Sequence, residues 1–219
     1  MADSYASPAI SQCVFEGNTA SEWGGGLSNN YLASPVVTDC EFTQNSASWR
    51  GGGVGNQAEL TARFERCVFR ENVSQEDGGG MSSWASATPE VADCQFVGNS
   101  ADWYGGGMSL RGASAVVEET SFERNTAVVS GGGLHVMDDQ GRRGSYTVRN
   151  STFVGNSAGD NGGGVFGMDG SDVDLEGCVF SGNEATSGGA LTVHSGASAS
   201  VTRCEFTSNR GGTSGRGGG

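Results

Sequence analysis

Six cysteines are the first residues that could do chemistry: Cys13, Cys40, Cys67, Cys94, Cys178 and Cys204. A zinc site needs thiolates two to four residues apart, and the first four here stand 27 residues apart. Thr120 and Ser151 fall at the equivalent positions of two further segments. The position therefore selects a small side chain, and a stacked, inward-facing thiol ladder is expected. Bridges between neighbours (Cys13–Cys40, Cys67–Cys94, Cys178–Cys204) stay open as the alternative, since a strand-to-strand step lies within disulfide reach. Aromatic residues gather just before runs of glycine: Trp23, Trp49, Trp103 and Tyr104. Trp23 and Trp49 are read as neighbours at a corner. There they would either stack on sugar rings or a partner surface or fold back over the bare glycines. Trp84 lies elsewhere in its segment and is set apart from this group.

The acids give a weaker signal. A glycosidase or lyase needs two or three carboxylates converging on one groove, and here they are scattered. The densest run, Asp169 to Glu176, lacks the twelfth-position Glu of an EF-hand and is read as a solvated loop. An enzyme would sit at Asp138, Asp139, Arg142 and Arg143, where one segment carries extra residues. His135 and His194 are too far apart to share a site and are read as surface or strand-edge residues. No metal site and no cofactor is expected. Asn72-Val73-Ser74 and Asn150-Ser151-Thr152 match the glycosylation sequon.

Composition narrows the partners. All 12 basic residues are Arg, against 25 acids, giving a net charge of −13. Phosphate backbones need a positive footprint, so nucleic acid is excluded as a partner. No apolar run approaches the ~18 residues of a membrane span. Met1 to Ile10 shows neither the basic nor the apolar part of a signal peptide.

These residues are positioned by a repeat. Phe-x-x-Asn occurs eight times, with Phe15, Phe42, Phe69, Phe96, Phe122, Phe153, Phe180 and Phe206 heading the copies. The paired asparagines are Asn18, Asn45, Asn72, Asn99, Asn125, Asn156, Asn183 and Asn209. An apolar residue precedes each Phe by five positions, from Ile10 to Val201. Glycine triplets such as Gly24-Gly25-Gly26 follow, each before Leu, Val or Met. Alternation within a copy has period two, the strand signal. Fixed-period copies that cannot each bury a core must stack. The reading is an all-β, right-handed parallel β-helix of about eight coils of ~27 residues with three parallel sheets. One domain spans residues 1–212, and a Gly/Arg-rich tail spans 213–219. Within it the asparagines form a corner ladder, and the extra residues Asp138 to Gly144 form an outward loop.

The paired Phe-x-x-Asn and Gly-Gly-[Gly/Ala]-[Leu/Val/Met] motifs resemble the repeats of the chlamydial polymorphic outer-membrane proteins. That resemblance implies a secreted or surface-exposed module with a role in adhesion. The expected function is therefore a non-catalytic structural or adhesive module, extracellular or on a cell surface. Its expected partners are surface glycans, host-cell proteins, or further copies of itself joined end to end or laterally. A polysaccharide-cleaving enzyme is the alternative. Ice binding is set aside, because no regular outward array of Thr is apparent.

Overall fold

The computed structural model describes residues 7–139, 141 and 144–212. They form a parallel β-solenoid without a helix. Each turn carries four short strands, as in Val36–Thr38, Glu41–Thr43, Ser46–Ala47 and Val54–Gln57. Seven turns are complete, and three strands of an eighth follow. Successive turns pair in parallel, so every position stacks on its counterpart one coil away. The domain expected at residues 1–212 corresponds to this solenoid, and the tail at 213–219 lies outside the described residues.

The sheets number four, not the three expected from the sequence. The additional one runs through the two-residue strands that follow each Asn, such as Ser46–Ala47 and Val73–Ser74. Two residues are too few to display alternation, so this side of the coil reads as a corner in the sequence.

Stacked columns explain why the repeat is so strict. Seven Phe-on-Phe contacts run from Phe15 to Phe206, with ring centroids 4.5–5.0 Å apart and interplanar angles of 1–6°. The Asn ladder closes the adjoining corner and satisfies every polar atom of a buried amide. Asn72 is representative. Its Nδ2 donates to Asn99 Oδ1 at 2.9 Å and to the Phe42 carbonyl at 2.8 Å. Its Oδ1 accepts from both the backbone N–H and the Nδ2 of Asn45. The sequon at Asn72 is thus buried inside the ladder. Glycine is required where the chain packs against this ladder. Gly78 has φ +68°, and a Cβ on Gly80 would lie 2.6 Å from the Gly107 carbonyl and 2.8 Å from the Phe96 ring.

The cysteine column is a free-thiol ladder, as its spacing suggested. Each inner Sγ donates to the carbonyl two residues earlier, and those of Cys40 and Cys94 also accept a backbone N–H from the preceding coil, of Cys13 and Cys67. Thr120 and Ser151 perform both tasks with Oγ. Hence the column admits Cys, Ser or Thr: it needs a small group able to donate and accept. Burial pushes the Cys178 thiol up to about 11.

Two further expectations fail here. Asp172–Glu176 is a strand with Val173 and Leu175 buried and the acids turned outward. The acid-rich run is therefore a loop only at residues 169–171, and from Asp172 on its acids line one face of a sheet. The extra segment does not leave the surface at once either. Asp138 and Asp139 are buried, and Asp138 Oδ1 accepts the Gly144 N–H at 2.8 Å across the insertion. Gln140, Arg142 and Arg143 lie outside the described residues.

Candidate functional site

The strands that follow the glycine triplets build the fourth sheet, and its outer face carries the unusual residues. In-register pairing sets two columns on that face. One runs Ser28, Gly55, Ser82, Ser109, His135, Phe166, Thr192, and the other Asn30, Gln57, Trp84, Arg111, Met137, Met168. A third column flanks them, made of single bridges just before the glycines. Trp23 pairs with Arg50, Arg50 with Asp77, and Tyr104 with Ser130. The middle column is small in the early coils, so large side chains from both flanks close over it.

Trp23 and Trp49 are not neighbours in one column, as the sequence reading had them. Their spacing is 26, one short of the coil length. Trp23 therefore pairs with Arg50, and Trp49 falls one position earlier. Trp23 packs inward over Gly55 and stacks on Trp84 at 5.7 Å. The Arg50 guanidinium sits 5.2 Å from the Trp23 ring and 5.4 Å from the Trp84 ring. In a desolvated setting each cation–π contact contributes about 1–2 kcal/mol. Trp84, set apart in the sequence reading, is central to this cluster. Its place was legible from register alone, since Trp84 follows Met81 as Gln57 follows Val54.

Acids and arginines continue the cluster. Arg50 Nε lies 3.2 Å from both Glu76 and Asp77. Arg111 lies 3.9 Å from Asp77 and 3.4 Å from Asp139. Trp84 Nε1 donates to Asp139 Oδ2 at 2.9 Å. Asp77 is almost fully buried, and that burial, opposed by Arg50 and Arg111, pushes its carboxyl up to about 6. Beyond Arg111 a cavity of about 640 Å³ is lined by Asp138, Asp139, Asp169 and Ser195.

His135 is wholly buried, not at the surface or an edge as expected. Tyr104 stacks on it at 4.6 Å and Phe166 at 5.7 Å, and Nδ1 meets Ser109 Oγ at 3.1 Å. Burial, with Arg111 nearby, lowers its pKa to about 3. Tyr104 is thereby a lid on His135 and does not join Trp103 at the surface. His194 is exposed, as expected.

Trp49 and Trp103 remain outside, 48% and 49% exposed. The four aromatic candidates thus divide into an inward pair, Trp23 and Tyr104, and an outward pair, Trp49 and Trp103. Elsewhere, Thr61 and Thr88 hydroxyls bond at 2.8 Å on the first sheet's side. That row continues through Ser114 and Ser145 to Asp172, so it is not a threonine array.

Four parallel sheets wound from one repeating coil, with columns of like residues inside, define a right-handed parallel β-helix. The family model for the right-handed β-helix region matches residues 2–153 and 103–218. The chain belongs to that family. No curated protein matches it. Among the described residues no helix is long and apolar enough to cross a membrane, and no group of side chains is arranged to hold a metal ion.

Proposed function

We propose that this chain is a non-catalytic, extracellular or cell-surface β-helix module that works by binding glycans along its aromatic corner. The observation that carries the reading is the exposure of Trp49 and Trp103 on a scaffold whose other two tryptophans, Trp23 and Trp84, are stacked on each other. An exposed indole offers a flat apolar face with low conformational entropy to lose, which suits the faces of sugar rings. The surface location follows the resemblance of the repeats to polymorphic outer-membrane protein repeats. The test is binding of the purified chain to a broad glycan panel. Specific binding that disappears in Trp49→Ala/Trp103→Ala supports the reading, and silence across the panel rejects it.

A polysaccharide-cleaving enzyme is the second reading, favoured by one feature. Arg111 holds two carboxylates, Asp77 and Asp139, at one point beside a cavity. Burial raises Asp77 toward the protonated state that a general acid needs. Release of reducing ends from a panel polysaccharide, abolished by Asp139→Asn, would establish it.

Self-association is the remaining partner of this module. Sedimentation over a concentration series tests it, and a strictly monomeric profile would contradict it.

A further inference from the structure

We infer that the corner carrying Trp49 and Trp103 binds one extended, uncharged β-1,4-linked glycan chain, laid parallel to the solenoid axis. This rests on the glycan reading above and adds the linkage, the charge and the direction of the ligand. The backbone fixes the spacing. Trp49 N–H donates to the Glu22 carbonyl, Glu76 N–H to that of Trp49, and Trp103 N–H to that of Glu76, each at 3.0 Å. Glu22, Trp49, Glu76 and Trp103 are therefore one column on successive coils. Two steps of ~4.8 Å set the tryptophan Cα atoms about 9.6 Å apart along the axis.

That rise selects a ligand. In an extended β-1,4-linked pyranose chain each ring is turned by nearly half a revolution relative to the last. Alternate rings present the same face, and the two-ring repeat is close to the two-coil rise. Rings n and n+2 can then cover Trp49 and Trp103 with ring n+1 over Glu76. An α-1,4-linked chain coils and loses this alignment. The scaffold is rigid here, since both backbone positions are pinned to neighbouring coils, so little ordering is lost on binding.

Charge excludes polyanions. Glu22, Trp49, Glu76, Trp103, Val129 and Asp160 follow one another along the column. Asp102 sits beside it, in a row with Ser48 and Gln75. Arg50, the nearest cation, is turned into the Trp23–Trp84 stack and held by Glu76 and Asp77. Uronate or sulfated chains would meet carboxylates without a free arginine. Neutral rings would find carboxylate and amide acceptors for their hydroxyl groups on either side of the indoles.

The experiment is calorimetric titration of the full chain with cellohexaose, chitohexaose, maltohexaose and polygalacturonate. It is repeated on Trp49→Ala, Trp103→Ala, and the shifted variant Glu22→Trp/Trp103→Ala. The last keeps two exposed tryptophans but sets them one coil apart. Circular dichroism confirms that each variant is folded. Binding of cellohexaose or chitohexaose is expected, at least tenfold weaker in each single variant and not recovered in the shifted one. Equal binding of maltohexaose overturns the linkage, equal binding of polygalacturonate the exclusion of charged chains, and full recovery in the shifted variant the spacing, each while leaving a glycan-binding module. No binding of any glycan overturns both.

Discussion

The inside of this solenoid and the outer face of its fourth sheet are built by opposite rules. Inside, the columns that define the repeat each keep one chemistry: Phe on Phe, Asn on Asn, thiol or hydroxyl on thiol. The inward column of the fourth sheet changes instead, from Asn29 and Asn56 through Ser83 to Leu110 and Val136. Outside, the column beside the glycines runs Trp23, Arg50, Asp77, Tyr104, with no two neighbours alike. Inside, self-complementary groups satisfy their own kind one coil away. Outside, each residue depends on a different partner, and there burial shifts an acid, Asp77, and a base, His135, in opposite directions. Repetition sets the stability of the rod, while specialisation is concentrated on one sheet and one corner.

The sharpest way to break this contrast is to compare two aromatic truncations. Phe96→Ala empties a fully buried position between two stacked rings and should cost about 3–5 kcal/mol. Trp103→Ala, on the outer corner, should change stability by less than ~0.5 kcal/mol. Denaturant unfolding measures both. Equal costs would mean that the corner is part of the core. Phe206→Ala, already partly exposed, should fall between them.

Next in size is the ladder. Asn99→Ala strips a partner from four buried groups: the Asn72 N–H, the Asn72 Nδ2, the Phe69 carbonyl and Asn125 Oδ1. Leaving such groups unpaired should cost about 2–4 kcal/mol, despite the loss of little apolar area. If Asn99→Ala were nearly neutral in the same unfolding experiment, the ladder would be a consequence of stacking and not a cause of it.

The inner columns were legible in the sequence because stacking turns a spatial contact into a fixed sequence interval. The outer face was legible only in part, for the same reason applied less strictly. Arg50 and Asp77 follow Trp23 at steps of 27, and Tyr104 follows Asp77 at the same step. Trp49 and Trp103 stand 54 apart, two such steps. Grouping the aromatics by type instead of by interval joined Trp23 to Trp49 and Tyr104 to Trp103, and left Trp84 out. The burial of His135 had no such signal. It depends on Tyr104 and Phe166 closing over it from neighbouring coils, which residue type alone does not reveal.

On the outer face the contrast becomes a difference in pH response. Asp77 is raised from 3.8 to about 6, so the fold favours its protonated form. Its contribution is fully present below pH 3.8 and is lost as pH rises through about 6. His135 is lowered from 6.5 to about 3, so the fold favours the neutral ring. Its contribution is present above pH 6.5 and is lost as pH falls toward 3. The two slopes oppose each other between about pH 4 and 6. Asp77→Asn should therefore match the parent near pH 4 and exceed it by on the order of 2 kcal/mol at pH 7. His135→Phe should be less sensitive to acid than the parent. Thermal unfolding from pH 4 to 7 reads both, and parallel curves for parent and variants would show that these groups do not titrate across the fold.

The smallest effect is the most exacting test of the inner rule. Cys94 donates to the Ala92 carbonyl and accepts from Cys67 N–H, the same two bonds that Thr120 makes with Glu118 and Cys94. Cys94→Ser keeps both bonds and should change stability by less than ~1 kcal/mol. Cys94→Ala keeps the volume nearly as well but leaves the Cys67 N–H without that acceptor and the Ala92 carbonyl without that donor. It should cost more than the Ser variant, although alanine is the more apolar residue. If the order were reversed, the column would be selecting for size alone, and the interchange of Cys, Thr and Ser along it would owe nothing to hydrogen bonding.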